Sequence, residues 1–369
     1  MNRDRFPGLD GGWARLDGPA GTQMVDVAID AMTDFMRSGA NANHGGQFAA
    51  ARATDEVIAT ARASVGALLG RDPAGVVFGP SMTGLTMRFT AAARPRRVVC
   101  TRLDHDANVR PWLLHAEEVV FADPVAGSLE LPASAVISLI TEDTDWVAVT
   151  AASNACGTVP DLHAIIDAAH DAGARVYLDA VHAAPHRPLH DLGADVIACS
   201  AYKWFGPHVG ILAADPAVLA EYSPAKLRPS ADTDPDRWEL GTLPFESLAG
   251  VAAAADYTAS VGWERVRAHE DALLARALDG LRADERVTLW GDAGDRTPTI
   301  MFTVDGMHST DVAAALAERE IAVWHGNYYA WELEQHLELA PHGAIRAGFV
   351  HYNDETDADR LVEAVAALP

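Results

Sequence analysis

The chain has 369 residues, 49% apolar and 22% charged, and its 52 acidic against 28 basic side chains give a formal net charge of −24. That length carries two domains and a large core, the composition is that of an ordinary globular chain, and the acidic balance argues against nucleic acid or anionic membrane as partners. The opening residues carry no apolar leader, no run reaches the length of a membrane span, and three dispersed cysteines (Cys100, Cys156, Cys199) build no disulfide framework, so the expected setting is cytoplasmic.

From about residue 50 to 215, apolar runs alternate with amphipathic stretches. Val76–Phe78, Arg97–Thr101, Glu118–Phe121, Trp146–Thr150, Val176–Asp179 and Val196–Ser200 read as strands, and Gly210–Ala214 as a return from the loop after them. Thr54–Leu69 and Leu162–Ala172 carry helical periodicity. This alternation predicts an α/β layer with a mostly parallel sheet, whose ligands sit beyond the carboxyl ends of the strands. Ser81, His105, Asn154, Asp179 and Lys203 all fall at such ends. Residues 216–247, rich in Pro, Asp and Arg, read as loop, and one long Ala-rich helix is expected from about Ser247 to Leu281. Strand-like and helical segments alternate again to a closing helix, Asp354–Leu368, with Asn353 or Asp354 as its cap. The expected division is a large domain over residues 15–246 and a small α/β domain over 247–369, with residues 1–14 packed on it.

Lys203 stands in Ser200-Ala-Tyr-Lys-Trp-Phe-Gly-Pro, directly after an apolar run, and a second apolar run ends in Asp179. A lysine and a carboxylate at two neighbouring strand ends suit pyridoxal phosphate (PLP). The amine attaches the cofactor, and the carboxylate keeps the pyridine nitrogen protonated so that the ring accepts electrons. The same pair also fits a lysine snorkelling from a strand end beside a solvated aspartate.

With this domain order, Asp179-Ala-Val-His-Ala…Ser200-Ala-Tyr-Lys and Leu103-Asp-His-Asp-Ala-Asn-Val-Arg-Pro-Trp resemble the class V branch of fold-type I PLP enzymes. The similarity is to cysteine desulfurases, selenocysteine lyases and "cysteine desulfurase-like" proteins. It runs from Leu16-Asp-Gly-Pro-Ala-Gly to the closing helix. It implies a fold-type I enzyme with a seven-stranded, mostly parallel sheet in the large domain, a smaller C-terminal domain, and a homodimer with the active site at its interface. Carried over by position, His105 stacks on the PLP ring and relays protons, while Asn154 and His182 lie near its phenolic oxygen; relatives often have glutamine at the position of His182. Ser81, Met82 and Thr83 replace the usual Gly-Thr-Thr of the phosphate loop. Ser200 and Tyr202 take the places of a Ser and a His phosphate ligand, and Thr242 that of a threonine reaching in from the other subunit. Arg346 matches the arginine that grips the substrate carboxylate, for which a guanidinium fork is suited. Asn43 and His44 resemble the substrate-side loop.

One departure bears on the reaction. In the family a mobile cysteine follows the strand equivalent to Ile321–Val323. Here that stretch reads Trp324-His-Gly-Asn-Tyr-Tyr-Ala-Trp, with Tyr329 at the nucleophile's place. Cys156 lies close to Asn154 in sequence but on the wrong element for a mobile acceptor. A persulfide-forming desulfurase is therefore disfavoured. The favoured expectation is a C–S lyase acting on a cysteine derivative or S-conjugate, with Lys203, His105 and Asp179 catalytic and the Trp324–Trp331 loop accommodating a side chain larger than cysteine's. A class V aminotransferase, or another PLP-dependent amino-acid transformation, is the alternative. No metal site is read from the sequence.

Overall fold

The computed structural model describes residues 3–369; Met1 and Asn2, the start of the predicted N-terminal segment, lie outside the described residues. Seven strands build the main sheet: β1 (Val76–Gly79), β2 (Arg97–Thr101), β3 (Glu118–Ala122), β4 (Thr144–Thr150), β5 (Arg175–Asp179), β6 (Val196–Ser200) and β7 (Gly210–Ala214). Their order is β1-β7-β6-β5-β4-β2-β3. Only β7 runs against its neighbours β1 and β6; the other pairings are parallel. β6 and β7 are buried at every residue, which explains why they read as continuous apolar runs rather than alternating ones. Gly210 is required where β7 passes the first turn of the helix Met82–Ala93. A Cβ there would lie 2.1 Å from the Ser81 carbonyl carbon and 2.3 Å from the Met82 nitrogen.

A second, antiparallel sheet holds β8 (Val287–Trp290), β9 (Thr299–Val304), β10 (Trp324–Gly326) and β11 (Ala344–Gly348) in the order β10-β11-β9-β8. Its apolar face packs with the helices Trp263–Arg282 and Glu355–Ala366 into a separate core containing Leu273, Ile300, Phe302 and Leu361. The last helix begins as expected: Asp354 accepts from the Asp357 N–H, and Asp357 closes a capping box.

Two expectations of local structure are corrected. The long helix over 247–281 is two helices, Phe245–Ser260 and Trp263–Arg282, because Gly262 takes φ +82° between them. Residues 216–247 are not all loop: Pro216–Glu221 is a short helix capped by Asp215. The boundary expected after residue 246 falls inside the first of those two helices, whose Phe245, Leu248 and Val251 pack into the large-domain core against the helices Asp26–Arg37 and Ala49–Leu69. The N-terminal segment is likewise divided. Phe6 and Leu9 join the large core, while Ala14 and Leu16 join the small one, where Ala14–Arg15 pairs in parallel with Ile321–Ala322.

Candidate active site

Four parallel strands end on one side of the sheet and deliver the candidate side chains. Asp179 closes β5 and Ser200 closes the adjacent β6, with Asp179 in register with Ala198. A 3-10 turn over Ala201–Lys203 then lifts the lysine over the sheet edge. Thr150 ends β4, and the loop after β2 carries His105. That loop is pinned from below: buried Asp104 accepts from the Thr101 hydroxyl, from the Thr101 N–H at 3.2 Å and from Asn108 Nδ2 at 2.8 Å.

These elements enclose an inner cavity of about 60 Å³ lined by Met82, Thr83, His105 and Asn154, with Asp179, His182, Ser200, Tyr202 and Lys203 on its other sides. An outer cleft of about 890 Å³ shares the walls formed by Thr83, His105, Asn154, Tyr202 and Lys203 and adds Arg346 and the Trp324–Tyr329 loop. Nine of the sequence-predicted residues therefore meet at the inner cavity, and Arg346 faces them from the small domain.

The remaining predicted residues lie elsewhere. Ser81 lines neither cavity; its hydroxyl oxygen caps the helix Met82–Ala93 by accepting from the Gly84 N–H at 3.1 Å, which leaves its O–H free to donate. Thr242, Asn43 and His44 line a separate groove of about 540 Å³. Tyr202 does face the cavity, with its ring stacked on His208 at 4.8 Å between centroids. His182 reaches the cavity wall while its Nε2 lies 3.0 Å from both the Thr297 and Thr299 hydroxyls.

Lys203 and Lys226 are the only lysines in the sequence. Lys226 pairs with Asp232 at 2.9 Å; Lys203 is buried, and its Nζ donates to the Pro19 carbonyl. Burial, reinforced by Arg346 and opposed by Asp179, pulls the Lys203 amine down to about 7. Burial pushes Asp179 up to about 6, against the Val181 N–H that its Oδ1 accepts at 2.9 Å and against Lys203. His105 falls to about 3, chiefly through burial and then through Lys203 and Arg346, so its imidazole is neutral at physiological pH. Its Nδ1 accepts from the Ala107 N–H at 3.0 Å, and its ring stacks on Tyr329 at 5.4 Å.

Arg346, on β11, is 5% exposed and forms no ion pair among the described residues. Its Nη1 donates to the Asn154 carbonyl at 2.9 Å, its Cζ lies 4.5 Å from the centre of the Tyr328 ring, and its Nε has no partner. Burial lowers it to about 10. A buried guanidinium without a carboxylate is costly and is ordinarily matched by an anion. The Asn154 side-chain oxygen is a second buried polar atom with no partner.

PLP fits this donor set. An amine that is readily deprotonated stands beside a carboxylate at the end of the adjoining strand, the hydroxyls of Ser200 and Thr83 and the N-terminus of the helix Met82–Ala93 offer phosphate contacts, and Asn154 Oδ1 and Arg346 Nε have no partner among the described residues. Sequence reading missed Pro19, which holds Lys203, as well as Thr150, Thr297 and Thr299. Pro19 lies in the Leu16-Asp-Gly-Pro-Ala-Gly motif and was findable; the two threonines reach His182 from the other domain, and no local signal marks them. The three cysteines are buried, and none lines either cavity.

Comparison with known proteins adds a family assignment. The family model described as Aminotransferase class-V matches residues 14–361. An uncharacterized protein of Mycobacterium tuberculosis is 34% identical over 394 residues, covering 99% of this chain and 98% of that protein. A probable cysteine desulfurase of Halobacterium salinarum is 29% identical, covering 95% and 90%. Among solved structures, the cysteine desulfurase CsdA of Escherichia coli superposes with a TM-score of 0.88 at 28% identity, covering 99% of this chain and 96% of that one. The fold-type I architecture implied by the sequence motifs is thus the fold of this chain.

Proposed function

The chain belongs to the aminotransferase class-V family, whose members are PLP-dependent enzymes, and from that premise we propose that it binds PLP at Lys203 and cleaves the C–S bond of a cysteine derivative or S-conjugate. The observation that carries the cofactor reading is the lysine itself. A chain that otherwise uses arginine for nearly all its basic positions keeps a buried lysine where a neutral, nucleophilic amine is needed.

In this reading PLP supplies an electron sink for the bonds at the substrate's Cα. Arg346 binds the substrate carboxylate as a fork and fixes the amino group toward Lys203. Asp179 would hold the ring nitrogen in its protonated form by charge. Lys203 Nζ takes the Cα proton; the C–S electron pair leaves on sulfur, which picks up a proton and departs as a thiol. Water completes the release of pyruvate and ammonia. Neutral His105, with Nδ1 held by the Ala107 N–H, would lie over the cofactor ring and leave Nε2 as its free nitrogen for proton transfer. The relatives named cysteine desulfurases remove sulfur from cysteine. Here Tyr329, not a thiol, stands over His105, which favours release of the sulfur with its substituent over its capture on the protein.

Thr242, Asn43 and His44 line one groove with Leu227, which is 66% exposed. We read this face as the contact with a second copy, which would bring these residues to the partner's cleft. The test of the whole reading is incubation of the PLP-loaded protein with an S-alkyl-L-cysteine. Thiol and pyruvate in equal amounts, with no keto acid added, support the lyase. A requirement for a keto acid, with the cofactor converted to its amine form, supports transamination instead.

A further inference from the structure

Two places outside the reaction centre carry unused chemistry: the buried His186–Glu270 pair behind His182 and the aromatic rim of the cleft. The rim carries an inference furthest. Trp324 on β10 stands directly opposite Arg346 on β11 in the ladder, so both side chains leave the same face of the sheet and lie side by side. Trp324 lines the cleft and remains 52% exposed.

Tyr329 bounds the same cleft from the His105 side. It stacks on His105 with rings 26° from parallel, yet it is 70% exposed. Its placement is imposed by the backbone: Tyr328 and Tyr329 both adopt left-handed conformations, at φ +53° and +59°, a region that aromatic residues seldom enter. Hydrogen bonds from the site hold them there. Asn154 Nδ2 donates to the Tyr328 carbonyl at 2.9 Å, the Asp106 N–H donates to the Tyr329 carbonyl at 2.7 Å, and the Tyr329 N–H donates to Asn327 Oδ1 at 3.0 Å. Trp324 is thus fixed by its strand beside Arg346, and Tyr329 by bonds to the His105 loop and, through Tyr328, to Asn154; these are the two rings of the rim. They leave open flat faces in a concave cleft, where an unused aromatic surface ordinarily marks a ligand contact.

We propose that Trp324 and Tyr329 are specificity-determining residues that receive an extended planar side chain, so the substrate is an amino acid bearing an aromatic or conjugated group rather than cysteine itself. This rests on the reading that Arg346 takes the substrate carboxylate. With that end fixed beside Trp324 and the reacting carbon near Lys203 and His105, the side chain leaves past the two rings.

The test is absorbance titration of the PLP-loaded protein with L-alanine, L-phenylalanine and S-benzyl-L-cysteine, reading the dissociation constant of each and assaying pyruvate in the same samples. We expect the two aromatic ligands to bind on the order of 10-fold more tightly than L-alanine. Trp324→Ala and Tyr329→Ala should each shrink that ratio about 3-fold or more, and Tyr329→Phe should preserve it. Using the ratio removes any general weakening of the site. Equal affinities for alanine and the aromatic ligands, or a ratio unchanged in both alanine variants, would overturn the inference while leaving amino-acid binding intact. Aromatic preference without pyruvate from S-benzyl-L-cysteine would support the inference and remove C–S cleavage. If no ligand changes the spectrum, the Arg346 reading fails and this inference falls with it.

Discussion

Replacing Arg346 by methionine should weaken substrate binding without weakening the fold, an outcome that an ordinary structural arginine does not give. Among the described residues its Nε has no partner and no carboxylate pairs with it. The unsatisfied donor alone costs about 1–3 kcal/mol. Against this, the single Nη1 bond to the Asn154 carbonyl contributes about 1.5–3 kcal/mol, as hydrogen bonds to charged groups do. The two nearly cancel, and methionine refills the volume over the Tyr328 ring, so the thermal midpoint should stay within about 3 °C of the parent. Binding should respond very differently. Losing a forked, charge-assisted contact to a carboxylate removes about 3 kcal/mol or more, a factor on the order of 100 in dissociation constant. Arg346→Lys keeps the charge but not the fork and should fall between, at about 10-fold. Thermal denaturation and spectral titration of the PLP-loaded variants with an amino acid measure both quantities. A midpoint lowered by about 6 °C or more with binding intact would refute the reasoning, because that is the signature of breaking a buried structural pair.

Further outcomes follow from the same geometry. Because burial lowers Lys203 to about 7, its amine is protonated and unreactive below that pH. Stopped-flow capture of PLP by the apoprotein should therefore slow about 10-fold per pH unit below 7 and level off above it; a rate independent of pH from 5 to 9 would contradict the shift. His105→Phe keeps a ring over the cofactor and loses the proton carrier, so PLP should remain bound while turnover drops about 10²–10⁴-fold. Since His105 is held near 3, it is neutral across pH 5–9, and any acid limb in the parent's rate profile above pH 5 belongs to another group. Cys156→Ala should leave thiol release unchanged, because Cys156 is buried against Thr158 at 3.3 Å and lines neither the inner cavity nor the cleft; loss of release would reopen capture of sulfur on the protein. Thr242→Ala should lower PLP affinity measured by dialysis although Thr242 does not line its own chain's cavity, and light scattering should give a dimer. A monomer with full PLP affinity would refute the two-copy site.

Much of the site was legible because strand ends are legible. Apolar runs locate β4, β5 and β6, and the polar residues that end or follow them, Asp179, Ser200 and Lys203, lie at the site by chain geometry. Resemblance of motifs supplied His105, Asn154 and Arg346, which reach the site from elements far apart in sequence. What stayed hidden depends on contacts without a local pattern. The role of Ser81 as a helix cap depends on the approach of the Gly84 N–H, which only the folded backbone gives. His182 is oriented by Thr297 and Thr299, more than a hundred residues later. The helix break at Gly262 could have been anticipated from a glycine inside an Ala-rich pattern, but helical periodicity on both sides masked it. The left-handed pair Tyr328–Tyr329 ran against residue preference altogether, because hydrogen bonds from Asn154 and the Asp106 N–H outweigh it.

The most direct test of the account is where the cofactor attaches. The PLP-loaded protein is reduced with borohydride, digested, and the mass of each lysine-bearing peptide measured; with only Lys203 and Lys226 present, the answer is one of two positions or neither. The account predicts a reduced cofactor adduct on Lys203 alone, absent from Lys203→Ala. An adduct on Lys226, or none on either lysine after saturation with PLP, would contradict it.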